Sequence, residues 1–249
     1  MTKIISIINQ KGGVGKTTTS CSLAAALSLN DFKVLAVDLD PQCNLSQSLG
    51  VRSHDENIYK LIKRNCDFNP VSINENLDLL PSSLDLSAFE VEMSNEPGRE
   101  YLLKEILQKI GLNYDYILID CSPSLGLISI NALVASNSFL VPILPHHLSI
   151  QGLSKLIEVT EKIKLRLNEK LELEGILLTQ FNQRKVLHKD TEKVIRNHFG
   201  DRLYATKIRE NISLAEAPSL GVDIFCYQLT SNGAIDYLNL CNEILEKEN

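Results

Sequence analysis

The sequence lacks several features that would by themselves define a class of protein. It has no tryptophan, two methionines and 6% aromatic residues among 249 residues. No apolar run approaches the roughly 20 residues that span a bilayer, and no signal-peptide pattern precedes the first strand, so we expect no membrane segment. The six scattered cysteines include no C-x-x-C pair, which favours free thiols in a reducing cytoplasm over zinc sites or disulfides.

Charge is distributed unevenly along a chain whose formal net charge is −6. Residues 184–209 contain eight lysines and arginines against three acids, whereas residues 210–249 contain one lysine against seven acids. An acidic average argues against a protein coated in nucleic acid. The basic segment instead predicts one local surface that attracts anions.

Aliphatic runs alternate with amphipathic segments along the whole chain. The predicted strands are 4–9, 33–38, 77–81, 116–120, 138–143, 173–181 and 203–208, and the predicted helices are 16–29, 57–63, 84–93, 99–110, 127–135, 150–168, 187–199 and 232–247. Near-continuous Val, Ile and Leu strands between helices predict an α/β fold, with a mostly parallel sheet flanked by helices on both faces. No linker or repeat divides the chain, so we expect a single domain over residues 1–249. Ligands of such sheets bind at the carboxyl ends of the strands.

A glycine-rich loop lies between the first strand and the first helix. Its residues are Lys11, Gly12, Gly13, Val14, Gly15, Lys16, Thr17 and Thr18. Three glycines within four positions allow backbone N–H groups to approach a polyphosphate, and the helix directs its positive dipole end at the same anion. Lys16 is expected to bind the β- and γ-phosphates, and the Thr17 hydroxyl is expected to bind Mg²⁺. The strict phosphate-loop pattern fails at Gln10, where it requires glycine, and Lys11 is an extra cation.

Acidic residues close two further strands of the predicted sheet. Asp38 ends the strand 33–38 and Asp40 follows two positions later, while Asp120 ends the apolar strand 116–120. A single strand-terminal aspartate is more often a turn or cap residue. Three that converge on one phosphate loop indicate the place where Mg²⁺ and an attacking water are held.

Four motifs together resemble the ParA branch of the ParA/MinD family, the deviant-Walker ATPases that partition DNA. They are KGGVGKTTT, VDLDPQ, LIDCSPSLG and LAEAPSLG, and the resemblance extends over nearly the whole chain. It implies a P-loop NTPase fold with ATP and Mg²⁺ as cofactors. Because the first strand begins close to residue 1, the chain resembles the short form without an N-terminal helix-turn-helix domain.

The resemblance also implies roles for particular residues. Lys11 matches the lysine that crosses an ATP-bound homodimer to the partner subunit's phosphates, and Thr18 matches the residue at the α-phosphate. Asp40 matches the aspartate that positions the hydrolytic water, so the expected catalytic residues are Lys11, Lys16 and Asp40. Asp120 matches the Walker B carboxylate at Mg²⁺, and Asp38 is expected to support the same metal site. Asn182, after the strand 173–181, is expected to read adenine.

Relatives bind double-stranded DNA without sequence preference once ATP has made them dimeric. In this chain Lys185, Lys189, Lys193 and Arg196 recur on one stripe of the predicted helix, while Leu187, Val194, Ile195 and Phe199 are expected to face largely away. With Arg184 and Arg209 they form the expected DNA surface, whose phosphate contacts would give affinity without specificity. Glu210 and Ser213 stand at positions that are often basic in the family, which predicts a weaker or different footprint.

The expected function is therefore chromosome or plasmid partitioning in the cytoplasm, on the nucleoid, with a ParB-like partner that stimulates weak intrinsic hydrolysis. A ParA-like ATPase that positions a protein cargo on the nucleoid is the alternative. A MinD-like membrane ATPase would need a basic amphipathic C-terminal helix, but this C-terminus is acidic. A nitrogenase-reductase-like electron carrier would need cluster-ligating cysteines, and Cys121 alone does not supply that pattern. A nucleotide sensor without turnover is a further class, which measured ATP hydrolysis would distinguish.

Overall fold

One eight-stranded sheet forms the centre of the computed structural model, which describes residues 2–64 and 66–247. The strands are β1 (Lys3–Ile7), β2 (Val34–Leu39), β3 (Val71–Asn74), β4 (Leu77–Leu80), β5 (Tyr116–Cys121), β6 (Ser138–Ile143), β7 (Glu172–Phe181) and β8 (Leu203–Arg209). Their order across the sheet is β3-β4-β2-β5-β1-β6-β7-β8. Within the described residues the neighbouring strands pair in parallel, apart from the antiparallel pair β3–β4.

Helices cover both faces of this sheet. They are α1 (Lys16–Leu29), α2 (Asn44–Ser48), α3 (Ile58–Ile62), α4 (Phe89–Glu92), α5 (Leu102–Ile110), α6 (Leu127–Ala135), α7 (His147–Arg166), α8 (Val186–Phe199), α9 (Ser213–Leu220), α10 (Ile224–Gln228) and α11 (Asn232–Glu246). One apolar cluster contains side chains of α5, α6, α7 and α8, and a second contains those of α1, α10 and α11. The central strands β2 and β5 are buried at every position, because helices lie on both sides of them. The predicted α/β fold with a mostly parallel, doubly covered sheet is confirmed.

The structure differs from the predicted elements mainly in short segments. The sequence analysis missed β3, α2, α9 and α10, each of which has eight residues or fewer. The predicted helix 84–93 is a 3-10 turn, Leu84–Ala88, followed by the short α4. The predicted helix 150–168 begins earlier, at His147. No helix in the described part of the chain is long and apolar enough to cross a membrane.

Candidate functional site

The glycine loop joins β1 to α1 at the carboxyl edge of the sheet. Gly13 and Gly15 have φ angles of +71° and +87°, in the left-handed region where a side chain would introduce strain. Among the described residues no side chain caps the N-terminus of α1, and the first turn of this helix contains no acidic residue. The first helical bond there runs from the Thr19 N–H to the Gly15 carbonyl at 2.9 Å. The preceding N–H groups of the helix are therefore available to an anion.

The end of β7 holds the carbonyl side of this loop. The Thr179 hydroxyl donates to the Val14 carbonyl at 2.8 Å, and the Gln180 side-chain amide donates to the Gly13 carbonyl at 3.4 Å. Successive strand residues normally point to opposite faces. Gln180 has a φ of +50°, and the β7–β8 register shifts there, so both side chains reach the loop. Thr179 and Gln180 were not predicted from the sequence, because no local motif marks them.

The two lysines of the loop lie in different environments. Lys16 is buried, and its Nζ donates to the Lys11 carbonyl at 3.2 Å across the loop. Burial lowers the pKa of Lys16, while the nearby Asp120 opposes that shift. The Lys11 side chain is exposed. The structure thus places Lys16 within the loop and leaves Lys11 at the surface.

Asp120 is fully buried directly behind the loop. One carboxylate oxygen accepts from the Thr17 hydroxyl at 2.7 Å, and the other accepts from the Ser20 hydroxyl at 3.0 Å. Burial raises the pKa of Asp120 to about 7, and the charge of Asp38 contributes in the same direction. The carboxylate therefore fixes the side chain of Thr17 and, in the absence of a cation, favours retaining a proton.

Asp38 lies beside Asp120, since the two residues are register partners in β2 and β5. One oxygen of Asp38 accepts from the N–H and the hydroxyl of Ser46 at 2.8 and 2.7 Å, and the other accepts from the Asp40 N–H at 3.2 Å. Burial raises the pKa of Asp38 to about 6. These bonds connect the end of β2 to α2, so the carboxylate that was expected to support a metal site holds the backbone at Asp40.

A cleft of about 390 Å³ opens between the loop and the end of β2. Asp40 lines it, and one Asp40 carboxylate oxygen accepts from the Gln42 N–H at 3.0 Å. The other lining residues are Gly12, Gly13, Gly15, Lys16, Thr17, Thr18, Gln42, Asn44, Ser48 and Pro123. Most of the predicted phosphate and catalytic residues therefore face one space.

A second cleft of about 350 Å³ lies on the other side of the loop. Gly15 and Thr18 line both clefts, and the second is completed by Thr179, Gln180, Ile208, Arg209, Glu210, Asn211, Leu214, Ala215 and Tyr237. Asn182 is not among the lining residues of this cleft. Its side-chain oxygen accepts from the Arg184 N–H at 2.9 Å, as in an ordinary Asx turn.

The residues of the predicted DNA surface differ in their pairing. Lys185 pairs with Glu210 at 2.7 Å, and Arg209 pairs with Asp236 at 2.7 Å. Arg196 donates to the Tyr204 carbonyl at 3.4 Å. Within the described residues, Arg184, Lys189 and Lys193 are exposed and form no ion pair.

The inward face of α8 differs from the predicted one. Its buried residues are His188, Thr191 and Ile195, whereas Leu187 and Val194 are 51% and 40% exposed. Leu187 and Val194, which were expected to face largely away from the cations, are thus not part of the buried face of α8. The exposed surface of α8 combines cations with apolar side chains.

Residues that could hold a metal by themselves are absent from the described part of the chain, since no group of three His, Cys, Asp or Glu side chains converges there. Mg²⁺ commonly binds through one or two protein oxygens together with phosphate oxygens and water. The Thr17–Asp120 pair fits that requirement, because it supplies one hydroxyl and one carboxylate behind a phosphate loop.

Comparison with known proteins agrees with this geometry. Residues 2–173 match the family described as an AAA domain, AAA_31. The chain is 41% identical to the sporulation initiation inhibitor protein Soj of Bacillus subtilis, over 98% of both chains. It is 35% identical to the chromosome partitioning protein ParA of Caulobacter vibrioides, over 99% of this chain and 95% of that protein.

Two solved structures have the same fold over the full length of this chain. One is a plasmid partition protein of Borrelia burgdorferi bound to AMPPNP, with a TM-score of 0.84, 29% identity and 100% coverage of both chains. The other is a cobyrinic acid a,c-diamide synthase of Mycobacterium smegmatis with a bound ATP analogue and magnesium, with a TM-score of 0.87 and 30% identity over 100% of this chain and 96% of that one.

Proposed function

The chain belongs to the ParA/Soj family of partitioning ATPases, and we propose that it is a Mg²⁺-dependent ATPase that dimerises around ATP. The ATP-bound dimer binds double-stranded DNA without sequence preference and partitions a chromosome or plasmid. A ParB-like partner and DNA stimulate its weak intrinsic hydrolysis. The protein acts in the cytoplasm on the nucleoid, with residues 1–249 as one ATPase domain. The observation that carries this proposal is the loop geometry, with open N–H groups, a buried lysine and the Thr17–Asp120 pair.

Different residues of the loop contact different phosphates of the triphosphate. Lys16 binds the β- and γ-phosphates, and Thr18 contacts the α-phosphate region. Carbonyls of Gly13 and Val14 are held by β7, which leaves the N–H side of the loop for anions. Thr17 and Asp120 would hold Mg²⁺, and the bound cation would neutralise phosphate charge. Asp38 contributes by fixing the backbone next to Asp40.

Asp40 positions the attacking water. It lines the same cleft as Lys16 and Thr17, and the Gln42 N–H holds one of its oxygens. A carboxylate in hydrogen-bond reach of a water can orient it for in-line attack, as hydrolysis of a phosphoanhydride requires. Asp40→Ala is expected to preserve nucleotide binding and stop turnover, which traps the ATP-bound dimer.

Lys11 supports the proposed dimer. The side chain is exposed at the rim of the site, whereas Lys16 already serves the loop from within. Two triphosphates brought face to face concentrate negative charge, and one exposed lysine from each subunit offsets it. Self-association then depends on the γ-phosphate, and hydrolysis releases the dimer.

DNA binding is assigned to the exposed cations near α8. Arg184, Lys189 and Lys193 are available for phosphates, while Lys185, Arg196 and Arg209 already have partners within the chain. Dimerisation doubles the number of neutralised phosphates, and each additional phosphate contact steepens the dependence of affinity on salt. The ATP state therefore controls DNA affinity.

Measuring the affinity of the Lys16→Ala variant for ATP tests the proposal. A hydrogen bond to a charged group contributes about 1.5–3 kcal/mol, so its loss should weaken the binding of Mg²⁺·ATP by about tenfold or more. Lys33→Ala is the control, since Lys33 is exposed and away from the loop. Unchanged ATP affinity in Lys16→Ala, measured by calorimetry on folded protein, would remove the site assignment.

A further inference from the structure

Arg209, at the end of β8, is bonded to Asp236 through both its side chain and its backbone. Its Nε lies 3.1 and 3.0 Å from the two carboxylate oxygens of Asp236, and its Nη2 lies 2.7 Å from one of them. The Arg209 backbone N–H also donates to Asp236, at 2.8 Å. A bidentate pair of this kind fixes the plane of the guanidinium and not only its charge.

Arg209 also lines the cleft that Gly15 and Thr18 share. Asp236 occupies one edge of the guanidinium and is buried, whereas 41% of the Arg209 side chain is exposed. The bonds to Asp236 run through one edge of the guanidinium, so they occupy neither of its flat faces. Arginine planes stack on aromatic rings, and the contact is stronger where water is excluded.

The position of the cleft relative to the phosphate loop indicates which part of a nucleotide enters it. Asp40 and Lys16 line the first cleft only, so the terminal phosphates belong on that side. Thr18, the proposed α-phosphate residue, lines both clefts. The nucleoside is bonded to the α-phosphate, and the second cleft is the space that continues from Thr18 away from Asp40.

We propose that the Arg209–Asp236 pair is the stacking wall for the nucleotide base, and that Arg209 is a nucleotide-binding residue and not a DNA-binding one. This inference rests on the proposed function, because it presupposes that the loop binds a nucleoside triphosphate. Asp236 acts as a positioning residue that holds the plane of Arg209. Its carboxylate offsets the charge that would attract a DNA phosphate.

The test compares Mg²⁺·ATP with Mg²⁺·tripolyphosphate, which carries the phosphates without a base. Arg209→Ala is expected to weaken ATP binding about fivefold to thirtyfold, equivalent to about 1–2 kcal/mol, and to leave tripolyphosphate binding unchanged. Arg209→Lys keeps the charge without the plane and should show the same base-dependent loss. Asp236→Asn should give a smaller base-dependent loss. Arg202→Ala is the control in the same basic segment, since Arg202 is exposed and lines neither cleft.

The outcomes separate this inference from the proposed function. If Arg209→Ala weakens both ligands equally, or neither, the stacking wall is refuted while the phosphate site stands. Equal affinity of the wild-type protein for both ligands would refute it as well. Failure of the wild-type protein to bind either ligand would instead overturn the proposed function. Since tripolyphosphate binding requires an intact loop, it also reports that each variant is folded.

Discussion

Removing the charge of Asp120 should change how the stability of the nucleotide-free protein depends on pH. The pKa of Asp120 is about 7 in the folded protein, against 3.8 for an ordinary aspartate, because the group is fully buried. A carboxyl group with a raised folded pKa contributes stability that is complete below about pH 4 and is lost as the pH rises through 7. The loss reaches about 1.4 kcal/mol per pH unit, and on the order of 4 kcal/mol in total.

Asp120→Asn should therefore be more stable than the wild-type protein at pH 8 and should lose less stability between pH 4.5 and 7.5. The change preserves the shape of the side chain. One of the Thr17 and Ser20 hydroxyls can rotate to accept from the new amide N–H, while the other still donates to the amide oxygen. The assay is urea unfolding at several pH values without magnesium or nucleotide. Asp38 remains in the variant and keeps part of the slope.

Exposed Asp201→Asn is the control for removing one negative charge. Parallel stability curves for the wild-type protein and Asp120→Asn over this range would refute the reasoning. That result would mean that the buried carboxylate titrates as in the unfolded chain. Added Mg²⁺·ATP should stabilise the wild-type protein more at pH 8 than at pH 5, because a cation offsets the buried charge only when the carboxylate is ionised.

Three further predictions concern other parts of the molecule. Replacing Lys189 and Lys193 by Glu should reduce DNA affinity at least tenfold at low salt without changing ATP affinity. Fluorescence anisotropy of labelled DNA measures the first effect, and unchanged DNA affinity would place the DNA-binding surface elsewhere. Thr179→Val leaves the Val14 carbonyl without its donor, so urea unfolding should show a loss of about 1–3 kcal/mol; full stability would contradict the role of β7 in holding the loop. Gly221→Ala would place a Cβ 2.8 Å from the Gly50 backbone, so it should lower the free energy of unfolding by about 1–3 kcal/mol more than Gly98→Ala does. Gly98 is the control because it has a similar φ and open space around it, and equal losses would contradict the close approach of Gly221 to Gly50.

The sequence predicted most of what is local and repetitive. Aliphatic runs such as β2 and β5 are buried on both faces, and their pattern indicated the parallel sheet. That sheet brought Asp38 and Asp120 into register, as adjacent parallel strands require. The glycine loop is one contiguous segment, so its position between a strand and a helix was also readable from the sequence.

Short elements were not predictable, because their formation depends on tertiary packing. The helix α9 has eight residues and contains Pro218, which by itself argues against a helix interior. The strand β3 has four residues at the edge of the sheet. A single sequence offers too few positions in such segments to establish a period.

The second cleft was also not readable from the sequence, for a different reason. Its walls come from the ends of β7 and β8 and from α9 and α11, which meet the phosphate loop only in the folded protein. Arg209 was predicted to belong to the DNA surface because it lies in a basic segment. Its ion-pair partner Asp236 lies 27 positions further along the chain, outside that segment. Charge counted along the sequence does not reveal which cations are paired in the fold.

In the proposed dimer, ATP is part of the interface between two copies of this chain, with Lys11 of each subunit at the other's phosphates. Sedimentation velocity in low salt with magnesium tests it most directly. We expect the 27.8 kDa chain to remain monomeric with ADP, and to double in mass with a non-hydrolysable ATP analogue. Lys11→Ala should bind the analogue yet stay monomeric. The same mass for the wild-type protein with both nucleotides, at concentrations where binding is saturated, would contradict the account.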